Sequence, residues 1–281
     1  MQHWQWRCLS CCSTAGKAVH ELVMQLILRT TICCVVFLLV TSCEEGREVQ
    51  VVSPFVSGYA ASDSDWTEVI DCWQEHVRKT RANSRPPGHW TAWKARTGGA
   101  FGQEARVRDL EARLKSPLPA SYRDFLRLTD GRVQRRGAIE EAPMFRSADQ
   151  VEPFAKVLPE FAAIWQSGGD PKLVESEYLV YDLRQYQVSF RPQFISELLL
   201  VGHRDDSTQI LLNPMVRTRD GEWEAWILSP SIPGAIRYPS FAHLIRDLIL
   251  ADIVSPRDEG PYSAKQHRGQ CSDLIKVTSA F

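Results

Sequence analysis

Apolar side chains at Val107, Leu110 and Leu114 recur at helical spacing, and around them Glu104, Arg108, Asp109, Glu111, Arg113 and Lys115 place each acid four positions ahead of a base. The pattern predicts an amphipathic surface helix that Pro117 stops. Pro119 is then expected in the first turn of a second helix, where its missing N–H loses no partner. Tyr122, Phe125 and Leu126 form the apolar stripe of that helix, Arg123 and Asp124 face outward, and Gly131 after Asp130 predicts a left-handed close.

The same reading extends along the chain. Residues 71–79 predict a helix with Cys72, Trp73, His76 and Val77 partly buried, followed by an Arg/Pro/Gly-rich loop to about Gly88. Residues 154–165 predict another, sending Phe154, Val157, Leu158, Phe161, Ile164 and Trp165 to the core and ending at Gly168-Gly169. Strand patterns follow at 178–183 and 197–201, the latter expected to form a hairpin with 208–212 across residues 202–207. Asp220-Gly221 is the strongest hairpin turn, between strands 215–218 and 222–228. Glu222 and Glu224 bracket Trp223, which predicts two exposed carboxylates on one strand face, opposite Trp223 and Ala225. Ser240 caps a last helix whose Phe241, Leu244, Ile245, Leu248 and Ile249 make one stripe. Helices, then strands, then a helix imply an α+β fold with helices packed against a single mixed, largely antiparallel sheet.

The front of the chain follows another logic. In residues 24–43, Arg29 precedes an uncharged run over 30–42, and Glu44 and Glu45 follow. A run of that length fits a signal core of about 7–15 residues better than a membrane span of about 20. Leu39, Val40, Thr41, Ser42 and Cys43 resemble a bacterial lipobox, which implies an acylated Cys43 as membrane anchor. The rival is an uncleaved anchor helix beginning near Leu22. Residues 1–23, with Trp4, Trp6 and Glu21, suit an export signal poorly, so translation is expected to begin at Met24. Cys8, Cys11 and Cys12, with His3 and His20 nearby, suggest a zinc clasp, but a closed site needs a matching second pair of ligands, and an unselected leader is the better reading. Residues 44–65 are rich in Ser, Gly and acids and predict a flexible tether, a short strand around 49–52 remaining open. Residues 256–281 form a polar tail. After cleavage Cys43, Cys72 and Cys271 remain, and in an oxidising compartment Cys72 and Cys271 either pair or stand as free thiols.

Hydrophobic residues make up 44% and charged residues 24% of the chain, as in a globular protein, and the formal net charge of -1 gives no general attraction to nucleic acid. Chemistry is sparse. His203, Asp205 and Asp206 could form an acid/base or metal cluster, but their place in an expected turn favours solvated loop residues. Ser229, Ser231 and Ser240 lack a Gly-x-Ser-x-Gly context, and neither a phosphate-cradling glycine loop nor a His-Glu-x-x-His helix occurs. His243 has no second ligand at helical spacing, and the 9 tryptophans fall mostly at core positions. The expectation is a binding module without catalytic residues, metal or cofactor.

Leu110, Glu111, Leu118, Pro119, Tyr122, Phe125, Leu126, Asp130 and Gly131 resemble the signature of the SUKH superfamily, which includes the Smi/Knr fungal cell-wall regulators and many bacterial immunity proteins. Asn213-Pro214, Asp220-Gly221-Glu222-Trp223, Pro233-Gly234-Ala235 and Ser240-Phe241 are similar to steps of a bacterial subgroup, as are Trp66, Trp73, Arg85-Pro86-Pro87 and Gly99-Ala100 upstream. The resemblance covers about residues 66–251; it departs at Lys115 and Ser116, where the first helix usually ends in Gly, and at Asp130, where Asn is commoner. It implies a Smi/Knr-like domain over 66–255, with the signature residues, Trp223 and Phe241 as scaffold. The implied function is an immunity protein that binds and blocks a bacterial toxin, here as a lipoprotein of the cell envelope facing away from the cytoplasm. Its contacts are expected from loops outside the signature: Arg132, Arg135, Arg136, Glu140 and Glu141, and Arg204, Asp205 and Asp206. The partner would be a protein, toxin or envelope component, and the membrane would be reached through the lipid. The alternative is an envelope scaffold or regulatory lipoprotein related to cell-wall regulation.

Overall fold

A computed structural model of the chain describes residues 50–82, 100–133, 144–181, 185, 189–205, 207–232, 234–253, 271 and 276. Outside these lie residues 1–49 with Cys43 and the Cys8/Cys11/Cys12 group, Arg85-Pro86-Pro87, Gly99, Arg135, Arg136, Glu140, Glu141, Asp206 and Pro233. The elements are β1 (Val51–Val52), α1 (Asp63–Ala82), α2 (Ala100–Leu114), α3 (Ala120–Thr129), β2 (Glu152–Pro153), α4 (Phe154–Val157), α5 (Pro159–Gln166), α6 (Glu175–Tyr178), β3 (Leu199–Asp205), β4 (Thr208–Arg217), β5 (Trp223–Ser229), β6 (Gly234–Tyr238) and α7 (Phe241–Ile253). Short 3-10 turns occupy Ala148–Gln150 and Pro192–Ser196.

The punctuation between α2 and α3 has a physical reading at each step. Lys115 adopts φ 52, the Lys115 N–H reaches Ala112 O at 3.3 Å and the Ser116 N–H reaches Glu111 O at 3.2 Å. That double closure is a Schellman motif, with a lysine in the left-handed place that glycine occupies most cheaply. The Glu111 carboxylate then accepts the Leu118 N–H at 3.0 Å, tying the first helix to the Leu-Pro step. Pro119 is the N-cap of α3, one residue before the first turn, with extended ψ of 145. At the other end Asp130, not only Gly131, is left-handed, with φ 50, and its N–H returns to Leu126 O at 2.8 Å.

One open sheet of six strands runs in the order β2-β3-β4-β5-β6, all neighbours antiparallel, and β1 adds to β4 in parallel. The β4–β5 register jumps between Asn213↔Glu224 and Arg217↔Trp223, so β4 bulges where Pro214 could not donate to a ladder. Past that bulge Val51 pairs with Val216 and Val52 with Arg217. Both faces of the sheet are covered. Leu199, Val201, Ile210, Leu212, Trp223, Ala225 and Ile227 belong to a core shared with α1, α2, α3 and α7, including Trp66, Trp73, Tyr122 and Phe241. Leu200, Leu211, Trp226, Leu228 and Ala235 belong to a second core with Phe154, Ala162, Tyr178, Phe190 and Phe194. The result is α+β around a mostly antiparallel sheet, with helices on both faces.

Four expectations change. Residues 178–183 were expected as a strand, yet Tyr178 closes the short helix α6. The helix expected over 154–165 breaks at Leu158, because Pro159 can start α5 but cannot continue α4, and Ile164 is left 65% exposed. The tether expected over 44–65 becomes part of the fold from Gln50 on: β1 joins the sheet, Ser53 and Ser57 are buried, and α1 begins at Asp63. In the polar tail, Cys271 is buried and Lys276 pairs with Ala60.

Candidate functional site

Glu222 and Glu224 depart furthest from expectation, since each is only 1% exposed. β5 begins at Trp223, so Glu222 precedes the strand and turns toward α3, while Glu224 points to the opposite face. The two carboxylates do not share a surface. They are instead the centres of two separate buried networks.

Around Glu224, the Tyr178 hydroxyl donates at 2.6 Å, the Trp226 indole N–H at 2.6 Å and the Asn213 amide at 2.9 Å, all to Oε2. Arg237 on β6 reaches Oε1 at 3.3 Å, donates to the Tyr178 carbonyl, and lies 4.1 Å from the centroid of the Tyr178 ring. Burial, and then the Glu224 charge, push the Tyr178 and Tyr181 hydroxyls well above the ordinary tyrosine range. Burial also works against the Arg237 charge, but Tyr178, Glu224 and Tyr181 outweigh it and hold the guanidinium protonated. A buried ion pair with this many donors fixes geometry more than it adds stability.

The edge next to it is finished by one side chain. The Gln185 amide accepts the Arg237 N–H at 2.8 Å and donates to the Arg237 carbonyl at 3.2 Å.

Around Glu222, the Ser121 N–H donates at 2.9 Å and the Ser121 hydroxyl donates to the other oxygen. Burial pushes this carboxyl up to about 7 in spite of those two bonds, and Asp220 and Asp124 act in the same direction. Nearby, the Asp220 carboxylate accepts the N–H groups of Ser57 and Gly58, each at 3.0 Å, and Tyr59 donates to Asp124 at 2.8 Å. Residues 51–62 thus form a strap held across the hairpin tip and α3.

The candidate contact residues sit elsewhere. Arg132 is exposed just past α3, and its neighbour Val133 offers its carbonyl to Met144 N at 2.7 Å. The Met144 carbonyl accepts the His203 N–H at 3.0 Å, and Phe145 pairs with Gly202. The stem of the 134–143 segment is therefore seated against the end of β3 that carries Arg204 and Asp205. Asp205 is exposed and closes the β3–β4 hairpin, accepting N–H groups from Ser207 at 3.0 Å and Thr208 at 2.9 Å. Burial would raise its carboxyl, but those bonds hold it below the ordinary carboxylate value. His243 is buried, with Nδ1 2.7 Å from the Ser240 hydroxyl that also caps α7. The signature residues Leu110, Leu118, Tyr122, Phe125, Leu126, Trp223 and Phe241 are all interior, and Asp130 pairs with Arg106 at 2.8 Å.

Cys72 on α1 and Cys271 are joined by a disulfide, with Cα atoms 5.6 Å apart. Among the described residues no group of His, Cys, Asp and Glu is arranged to hold a metal ion, and no helix is long and apolar enough to cross a membrane. Set against known proteins, the chain matches no family model, no curated protein and no solved structure.

Proposed function

We propose that this chain is a non-catalytic binding module, an immunity protein that neutralises a bacterial toxin by covering it, anchored to the envelope through Cys43. The observation that carries this reading is the seating of two charged loop stems on one sheet edge: Arg132-Val133 and His203–Asp205 meet through Met144, 70 residues apart in sequence though they are. Such a pairing gives a mixed-charge surface on a rigid strand end, which suits a protein partner needing about 800 Å² per side. Apart from half-buried Glu111 the resembled signature is buried and so is left to hold the scaffold, which fits contacts drawn from outside it. An exported location is supported by the disulfide, since such bonds persist in oxidising compartments.

The test is capture of secreted toxins from neighbouring cells on the mature domain, with Arg132→Glu and Asp205→Lys variants beside it. Loss of capture in the variants, with unchanged folding, supports the surface. Recovery of no toxin, together with ordinary toxin sensitivity in a deletion strain, refutes it and leaves the envelope-scaffold role. A mass for the mature N-terminal peptide tests the anchor, since an unmodified Cys43 removes it.

A further inference from the structure

We propose that the Cys72–Cys271 disulfide is a redox latch on the last part of the N-terminal strap, so that the order of its junction with α1 at Ala60 depends on the thiol state of the chain. The strap is fastened along its length, with Tyr59 donating to Asp124 on α3 at 2.8 Å and accepting the Trp66 indole N–H at 2.6 Å, and at each end by a separate contact. Toward β1 it is held by the hairpin: Ser53 N–H donates to Arg217 O at 2.7 Å, and Ser57 and Gly58 donate to Asp220. Toward α1 it is held by the tail, because Ala60 pairs antiparallel with Lys276 and its N–H reaches Lys276 O at 3.3 Å. Lys276 lies five positions beyond Cys271, and the disulfide fixes Cys271 covalently to α1.

The site of the bridge joins these facts. Ala60 lies two positions before the reciprocal cap that starts α1, in which Ser62 N–H donates to Asp65 at 2.7 Å and Asp65 N–H donates to the Ser62 hydroxyl at 3.2 Å. Lys276 also acts on Asp65 through its charge. Release of Lys276 therefore removes one backbone partner and one cation from the junction between strap and helix. The core around Trp66 and Phe241 stays assembled, because it is built from α1, α2, α3, α7 and the sheet, with Cys271 only one of its members.

Opening is a thiol–disulfide exchange with an external dithiol. Cys72 is half-buried, whereas Cys271 is nearly inaccessible, so the dithiol thiolate attacks Cys72 Sγ. The S–S bond breaks with its electron pair leaving on Cys271 Sγ, which takes a proton. The second thiol of the reductant then displaces Cys72 Sγ, which takes the other proton. Two electrons and two protons pass from the dithiol, which becomes a cyclic disulfide.

The experiment uses the full chain. Amide hydrogen exchange at Ala60 is measured before and after dithiothreitol, with alkylation and peptide mapping to read the state of Cys72 and Cys271 and near-ultraviolet circular dichroism of the buried tryptophans to report the core. Reduction is expected to speed exchange at Ala60 by about tenfold or more while the tryptophan signal stays native. Cys271→Ser and Cys72→Ser, each without reductant, should give the same acceleration. Unchanged Ala60 exchange once Cys72 and Cys271 are both free to alkylate overturns the latch, as does loss of the tryptophan signal alongside it, which would make the bond a staple of the whole fold. Alkylation of Cys72 and Cys271 before any reductant is added also overturns it.

Discussion

Glu222, at the threshold of β5, binds both the backbone N–H and the hydroxyl of Ser121, the second residue of α3. Pro119, the N-cap of that helix, makes no side-chain capping bond, so a carboxylate from a distant hairpin supplies the acceptor. The arrangement puts a titratable group inside the seam between helix and sheet.

Stability should therefore fall as pH rises through the range in which Glu222 ionises. Unfolded, the carboxyl titrates near 4.5; folded, burial moves it to about 7. Between those values the folded chain keeps a proton that the unfolded chain has released, so stability declines across the window, on the order of 3 kcal/mol in all, and levels off above it. Glu222→Gln should flatten that slope. Urea unfolding of both chains at intervals from about pH 4.5 to 8 checks it, and an unchanged slope in the variant would count against the assignment.

Asp220 should behave with the opposite sign. Burial raises its carboxyl, but bonds from Ser57 and Thr218 prevail and hold it below the ordinary value. Its contribution is present above pH 3.8, the usual aspartate value, and is lost as pH falls through the lowered value. Asp220→Ala is expected to cost about 1–2 kcal/mol and to release the amides of Ser57 and Gly58 in hydrogen exchange. Protection kept at both would show that the strap needs no carboxylate.

Truncating either member of the Glu224–Arg237 pair leaves a charge or several donors stranded in the second core. Arg237→Met and Glu224→Leu should each cost about 3–5 kcal/mol, and the double variant should cost less than the sum by at least about 1 kcal/mol. A double-mutant cycle by chemical denaturation reads the coupling; strict additivity would mean that the pair does not act as a unit.

The helix grammar around α2 and α3 was open to reading, because spacing, two prolines and a left-handed close each act within a few residues. Ser240 and Asp220-Gly221 were legible for the same local reason. The carboxylates were not. Alternation predicts an exposed Glu222 and Glu224 only if they share a strand face that meets water, whereas α3 covers the first and Tyr178 of α6 the second, and both packings are set by distant contacts. A signal was nevertheless present: Ala225, Trp226, Ile227 and Leu228 form an apolar run without alternation, the mark of a strand buried on both faces. The strap was missed because its order comes from Asp220 and Lys276, more than 150 residues away, while its own composition is that of a linker.

Two left-handed glycines should respond very differently to alanine. At Gly221, φ is 86 and nothing lies within 4 Å of an added Cβ, so Gly221→Ala meets only the backbone penalty of about 1 kcal/mol. At Gly131, φ is 75 and the new methyl would collide with the carbonyl of Arg146, so Gly131→Ala should cost more than about 3 kcal/mol. Thermal melts of the two variants make the comparison, and equal losses would contradict the packing of α3 against residues 145–146.

Gln185 gives β6 an ending that a two-residue neighbour would otherwise have to provide. By offering one acceptor and one donor to the same peptide unit, its amide imitates a rung of ladder without continuing it. A second molecule approaching that border finds Arg237 already engaged, and growth of the sheet from chain to chain is stopped there. The closure of this stretch of border thus rests on a single uncharged side chain.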